Sequence, residues 1–317
     1  MKITITNRIS HSFFILSIIC ISLLSCKRRD HSPTDKKYKL GVQSQSNSTF
    51  YYTITNETSS NFEVNGKEIE NKNNSDMGLV YNVQPADSNG NTAIKITFDK
   101  FHIALKNQEN EKELDADNGV NSADPVENFL GKIKGSSIQA VINKNGEVSS
   151  ANETKNFIDS LVSSIIIQDQ KMKDQLKEQL SQLMGEGFIK NNLENFHIFP
   201  DTAVYVGDSW TKKNSTSASN MTLEGVTKYT LTSISNGVAN IETDTRISNV
   251  SNNENKSLNN INADLKGTQE GEFEVDTQTG MLLNGKSSAT IKGSLQLMGR
   301  EVPITIKMKR KVEGKKM

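Results

Sequence analysis

Six Asn-Gly pairs, set between runs of alternating apolar and polar residues, constrain the fold of this sequence more than any other feature. Asn-Gly supplies the two positive-φ positions of a type I′ turn, which is the strongest short-range signal for a β-hairpin. We therefore expect a chain dominated by antiparallel strands joined by tight turns. The pairs begin at Asn65, Asn89, Asn118, Asn145, Asn236 and Asn284.

The alternation of apolar residues assigns faces to the predicted strands. Apolar side chains alternate through 77–83 and 94–98, after which the phase slips by one residue to Phe101. Because such a slip would turn the side chains to the other face, we expect a β-bulge or a bend at Asp99-Lys100. A second long hairpin is predicted to turn at 298–301, with apolar residues on one face and lysines on the other.

The middle of the chain has a different period. A capping box begins at Ser150, and apolar residues recur at helical spacing from Phe157 to Leu183 before Pro200 ends the segment. The predicted fold is mainly β with a central helical insertion (α+β). It consists of long antiparallel, curved or half-barrel sheets with a helix or helix pair packed against them, as one sheet or as two domains. The predicted portions are β over 38–149, helical over 150–199 and β over 200–317.

The first 25 residues have the three parts of a secretory signal. Their apolar run of roughly a dozen residues is shorter than the approximately 20 needed to span a bilayer. It ends in a lipobox, which predicts cleavage between Ser25 and Cys26 and a lipid anchor on Cys26, the cysteine that would remain in the mature chain. The alternative is an ordinary cleaved signal. Residues 26–37 are predicted to form a polar tether, and membrane lipid is the partner expected through the anchor.

Three segments of the sequence have a distinctive composition, namely 124–132, 143–148 and 200–210. These segments resemble a family of uncharacterised lipoproteins that is widespread in Bacteroidota. The resemblance covers most of residues 38–312 and implies a lipoprotein address and a β-rich architecture, without catalytic residues. The implied location is the cell membrane or outer membrane, and the basic residues that follow Cys26 favour a periplasm-facing position.

Composition and motifs argue against several classes of function. The chain has 37 basic and 37 acidic residues, whereas a nucleic-acid partner requires a clustered positive field. The motifs of hydrolases, zinc proteases and phosphate-binding loops are absent from the sequence. The acidic run at 109–117 fails the register of a calcium loop. We therefore expect a non-enzymatic protein with no catalytic residues, cofactor or metal.

Two functional hypotheses remain. In the first, the domain binds an apolar ligand or an envelope protein in the concave face of its sheet. In the second, it is a structural or protein-interaction module whose core is filled by its own helices, without a ligand pocket. A cavity of about 300 Å³ or more distinguishes the first from the second. The candidate ligand-facing residues, for which core packing is the alternative role, are Trp210, Phe157, Leu161 and Ile165.

Overall fold

The fold is described from a computed structural model, and all elements below lie within the compact unit Lys37–Met317. The other unit, Met1–Lys36, lies outside the described residues apart from its last residue. The predicted signal peptide, Ser25, Cys26 and most of the predicted tether therefore have no structural description. The structure describes residues 36–42, 47–64, 66–119, 122, 124–143, 147–148, 152–163, 169–171, 173–174, 177, 198–218, 221–250, 262–297 and 300–317.

Eleven strands within the described residues form one open antiparallel sheet. Most are long, because alternating side chains allow one face to be buried while the other meets water. The strands are β1 Ser48–Val64, β2 Lys67–Val83, β3 Thr92–Lys106, β4 Glu111–Asp115, β5 Ser137–Ile142, β6 Ser209–Ala218, β7 Met221–Ser235, β8 Val238–Val250, β9 Asn262–Asp276, β10 Leu282–Leu297 and β11 Arg300–Lys316.

The two β portions of the sequence meet in a single sheet. The strand order is β4-β3-β2-β1-β11-β10-β9-β8-β7-β6, and β5 pairs with β3 beside this path. The first and last strands are neighbours, with a register that runs from Phe50 opposite Lys316 to Phe62 opposite Ile304. The prediction of a mainly β fold with a helical insertion is confirmed, and the question of one sheet or two is answered by the β1–β11 pairing.

The Asn236-Gly237 pair forms the tight turn expected of it. Asn236 and Gly237 have φ angles of 51° and 79° and make a two-residue connection between β7 and β8. Gly66, at φ 73°, lies in the equally short β1–β2 connection. Asn89 and Asn118 lie in longer connections. The pair at 145–146 lies outside the described residues.

The turn predicted at Asn284-Gly285 is wrong, because both residues lie inside β10. Gly285 pairs with Phe273 on β9, and a Cβ at position 285 would lie 2.9 Å from the Phe273 ring. This glycine thus makes room for an aromatic ring from the next strand. The chain reverses earlier, over 277–280, where the Asp276 carboxylate accepts hydrogen bonds from the backbone.

The predicted bulge at Asp99-Lys100 is confirmed. Gly78 pairs with Lys100 and the following residue of β2 pairs with Phe98, so Asp99 is the extra residue. The Tyr51 hydroxyl donates a 2.8 Å hydrogen bond to the Asp99 carboxylate. A Cβ on Gly78 would collide with this hydroxyl, so the glycine lets a side chain of β1 cross β2 and fix the bulge on β3.

Two short helices pack against the sheet, α1 Pro125–Ile133 and α2 Asn152–Ser163. Sequence analysis missed α1, although Asp124 before a proline is a helix-start signal. The Asp124 carboxylate accepts hydrogen bonds from the backbone N–H groups of Val126 and Glu127, at 2.9 and 3.2 Å. Most of the predicted helical stretch after α2 lies outside the described residues. Within the described part, no helix has the length and apolar character needed to cross a bilayer.

The two faces of the sheet differ in character. The inner face, defined by Phe50, Tyr52 and Ile54, packs against both helices in a large apolar cluster. The outer face carries the predicted lysines of β11, which are exposed. A second apolar cluster lies on the inner face toward the other end of the long strands. Its buried members are Leu265, Ile291, Leu295 and Ile304.

Candidate functional site

Polar side chains separate the two apolar clusters of the inner face, and strand register places them side by side. One row crosses six strands from Tyr229 on β7 to Asn56 on β1. The neighbouring row runs from Lys212 on β6 to Thr58 on β1, and its positions on β10 and β11 are the apolar residues Ala289 and Met308. We call this set the polar belt. It consists of Tyr229, Thr243, Gly271, Ser287, Arg310 and Asn56 in the first row, and Lys212, Thr227, Thr245, Gln269 and Thr58 in the second.

A cavity of about 430 Å³ lies over the polar belt. Small-molecule sites in proteins occupy about 300–1,000 Å³, so this cavity is of the size that holds a small ligand. Its apolar borders are formed by Ile198, Phe273 and Val312 on the side of the large cluster, and by Ala289 and Met308 on the other side. The wall therefore combines a hydroxyl-rich floor with apolar edges.

Gly271 of the belt is closely enclosed by its neighbours in the sheet. It lies between Thr243 and Ser287 on the neighbouring strands. A Cβ at this position would lie 2.9 Å from the Thr243 Oγ1 atom and 3.1 Å from the Ser287 Cβ atom. Glycine therefore lets these two hydroxyl-bearing residues approach each other, and a larger side chain would force them to shift.

The described lining of the cavity includes cationic side chains and no aspartate or glutamate, although the chain as a whole is neutral. Arg310 and Lys212 face the cavity. Lys212 forms a 2.7 Å ion pair with Asp201, which lies outside the lining and offsets the lysine charge. The charge of Arg310 also affects Tyr81, another residue of the inner face. Burial raises the pKa of the Tyr81 phenol, and the positive charge of Arg310 opposes that increase.

The hydroxyl groups of the belt differ in their hydrogen bonding. Thr227 and Thr245 share a 2.9 Å hydrogen bond, and the Asn56 side chain donates to Ser75 at 3.2 Å. The Thr243 hydroxyl is buried, with 7% of the residue exposed, and makes no hydrogen bond to any residue that the structure describes. A buried hydroxyl without a partner is unfavourable, so this group marks a position where a ligand atom would be accommodated.

Trp210, a predicted ligand-facing residue, lies directly behind the cavity wall. Its ring stacks on Tyr229 with centroids 5.7 Å apart and an interplanar angle of 11°. The indole Nε1 donates to the Ile198 carbonyl at 2.6 Å. Asp208 holds the preceding turn, since its carboxylate accepts from the Tyr205 N–H at 2.8 Å. Tyr229 and Ile198 line the cavity, so Trp210 supports two wall residues.

Two other predicted ligand-facing residues, Phe157 and Leu161, do not line the cavity. Phe157 stacks on Phe98 with ring centroids 6.0 Å apart, and Leu161 is buried in the large apolar cluster. Both residues belong to α2 and pack against the sheet. Ile165 lies outside the described residues. Of the three predicted residues that the structure describes, Trp210 is the one near the polar belt.

The polar belt was not predicted, because the pattern of apolar residues alone does not include it. The inward phase of β11 was traced through Met308, but the next inward position is Arg310. On β8 the inward phase likewise continues from Ile241 through Thr243 and Thr245. The sequence did contain a signal for the belt: polar residues at inward-facing positions of long strands, in the same alternation as the buried apolar residues.

The chemistry available at the cavity is binding through hydrogen bonds, charge and apolar contact. Its groups include hydroxyls, side-chain amides, one guanidinium and one ammonium group facing inward. Within the described residues, His, Cys, Asp and Glu side chains do not gather in groups of three or more that could hold a metal ion.

Three solved structures align with the chain at low identity. Lipovitellin, studied for its lipid–protein interactions, aligns with a TM-score of 0.45 and 9% identity over 86% of this chain, which spans 25% of lipovitellin. An outer membrane channel from Pseudomonas putida F1 gives 0.23 and 7%, covering 90% of this chain and all of that one. The translocator domain of the autotransporter NalP from Neisseria meningitidis gives 0.20 and 8%, covering 84% and 88%. At these scores the alignments carry no conclusion about function.

Curated protein sequences yield no match to the chain. A family profile does match, over residues 89–282, which is more than half of the chain. The matched segment includes both helices and strands β3 to β9, and hence Thr243 and Gly271 of the polar belt, whereas Arg310 lies beyond it. The expected membership of an uncharacterised family is confirmed at this level: the chain belongs to the family of unknown function DUF6263.

Proposed function

We propose that this protein is a non-enzymatic, membrane-tethered module that binds an amphipathic small molecule in the cavity over the polar belt. The observation that carries the proposal is the 430 Å³ cavity, whose floor is polar and whose edges are apolar. A core filled by the protein's own side chains would lack such a space, so the cavity favours binding over a purely structural role.

The chemistry of the wall favours an amphipathic ligand over the purely apolar one that the sequence suggested. An apolar molecule placed over the belt would remove water from the Thr243 hydroxyl and the Arg310 guanidinium without giving them a partner. Such desolvation costs free energy. A ligand with one polar end satisfies these groups, while Phe273 and Met308 provide apolar contact for the remainder.

The proposal also includes the address predicted from the N-terminus. A lipid on Cys26 would hold the domain at a membrane surface as a lipoprotein of the kind found in Bacteroidota, facing the periplasm. The sheet would curve around its ligand as a half-barrel, close to the bilayer from which an amphiphile could come. Fractionation of cells that express Cys26→Ala tests the anchor, since a variant that stays in the membrane fraction contradicts it.

Native mass spectrometry of protein purified from membranes tests the ligand. We expect a bound small-molecule mass on the wild-type chain, and its loss in Ser287→Leu, because the leucine side chain would fill the cavity floor. Ser288→Leu is the matched control: Ser288 is the next residue on β10, is exposed and does not line the cavity. Circular dichroism checks that both variants fold. A wild-type chain without bound mass, or equal retention by both variants, contradicts the proposal.

A further inference from the structure

We infer that the polar belt recognises an anionic head group on the amphiphile, a carboxylate or a phosphate, through Arg310 and Thr243. The inference rests on the proposed function and adds the charge of the ligand. Its basis is the imbalance of the cavity wall, which carries inward-facing cations and, among its described residues, no carboxylate.

Arg310 is the cation best placed for this role. It is half-buried on β11 between Asn56 on β1 and Ser287 on β10, which are neutral cross-strand neighbours. A charge in a partly desolvated site attracts an opposite charge more strongly than it would at the surface, and salt screens the attraction less. Arg310 already has an interaction within the chain, but a guanidinium has five N–H donors and can also serve an anion.

Thr243 supplies a second donor. It lies in the same row of the belt as Arg310, and both residues line the cavity. Its buried hydroxyl makes no hydrogen bond within the described residues. Hydrogen bonds from a hydroxyl or a guanidinium to an ionised oxygen are stronger than those between neutral groups. An anionic head group in the cavity would therefore use both donors better than an alcohol would.

Trp210 is the single tryptophan of the chain and serves as a reporter, because it stacks on Tyr229 in the cavity wall. The probes are three amphiphiles that share one brominated medium-length alkyl chain and end in a carboxylate, a phosphate or a hydroxyl group. Bromine quenches tryptophan fluorescence at short range, so each titration gives a Kd for the full-length protein. The alcohol measures chain binding alone, and the two anions distinguish a fatty-acid source from a phospholipid source.

We expect both anions, or one of them, to bind the wild-type protein about tenfold more tightly than the alcohol, as one charge-assisted hydrogen bond would give. Arg310→Gln should abolish that preference. The matched control is Lys311→Gln, which removes the same charge from the adjacent residue on the outer face and outside the cavity lining, and it should retain the preference. Thr243→Val should weaken binding of the anions severalfold and leave the alcohol unchanged.

The outcomes separate the inference from the function on which it rests. If none of the probes quenches Trp210, the proposed function fails and the inference fails with it. Equal affinity for all three probes overturns the anionic head group while amphiphile binding stands. If Lys311→Gln removes the preference as fully as Arg310→Gln does, the assignment to the polar belt is overturned, because general surface charge would explain the result.

Discussion

Tyr52 forms a buried link between the first and last parts of the sheet, and its removal gives a sharp test of the packing. The hydroxyl of Tyr52 crosses β11 and donates a 2.9 Å hydrogen bond to the Leu282 carbonyl on β10. Gly314 permits the crossing, since a Cβ there would lie 2.5 Å from the Tyr52 ring. Tyr52 is 3% exposed. Tyr52→Phe would leave a buried carbonyl without this donor, which costs about 1–3 kcal/mol of unfolding free energy.

Urea denaturation followed by circular dichroism measures this loss. With a urea slope of about 3 kcal/mol/M, the expected cost lowers the midpoint by roughly 0.3–1 M. Tyr51→Phe is the matched control: its hydroxyl bonds to Asp99 on the outer face at an exposed position. That change should cost no more than about 0.5 kcal/mol. Equal losses in the two variants would refute the argument that the buried crossing stabilises the sheet.

Three further predictions concern stability. Thr243→Val should raise the unfolding free energy of the ligand-free protein by about 1 kcal/mol, because it removes a buried unpaired hydroxyl, whereas Thr227→Val breaks a hydrogen bond and should lower it in the same urea assay. Burial raises the pKa of the Tyr52 and Tyr81 phenols above the ordinary value of 10.0. The native state then keeps protons that the unfolded chain releases, so stability should fall as pH rises above 10, less steeply in Tyr81→Phe. Asp124→Ala should cost about 0.5–2 kcal/mol and Asp124→Asn much less, since asparagine caps helices as well as aspartate does.

Much of the fold could be predicted from the sequence, because apolar residues at every second position indicate which side chains share the buried face of a strand. The bulge at Asp99-Lys100 could be predicted because the alternation of apolar residues shifts by one position there. The hairpin of β10 and β11 was predictable from two alternating runs, but Arg300 and Glu301, which were assigned to its turn, belong to β11 and pair with β10. The pairing of β1 with β11 could not be predicted, because neither strand contains a local pattern that specifies a partner so distant along the chain.

The error at Asn284-Gly285 has a physical cause of general interest. Asn-Gly predicts a turn when the flanking residues leave the pair free, but Gly285 lies opposite the Phe273 ring and inside a continuous strand. Tertiary packing of an aromatic side chain therefore outweighed the local turn preference. The signal at 277–280 was weaker in sequence, yet the Asp276 carboxylate stabilises that turn through two backbone hydrogen bonds.

The candidate site was less predictable than the fold, for a related reason. A cavity depends on which side chains of six different strands become neighbours, and that follows from register across the whole sheet. Trp210 was identified as a candidate because tryptophan is rare in this chain, and it lies behind the wall. Thr243, Ser287 and Arg310 carry no local motif, so only the completed sheet brings them together.

Because the polar belt lies between two apolar clusters, the residues proposed to bind the ligand differ from the residues that contribute most to the stability of the fold. Backbone pairing continues through the belt from β6 to β1, so the strands remain held there with few apolar side chains. The burial of apolar surface, which supplies most of the favourable free energy of folding, is concentrated in the two clusters on either side. Belt residues such as Ser287 and Thr243 can therefore vary with the ligand at small cost to the fold, whereas the clusters cannot.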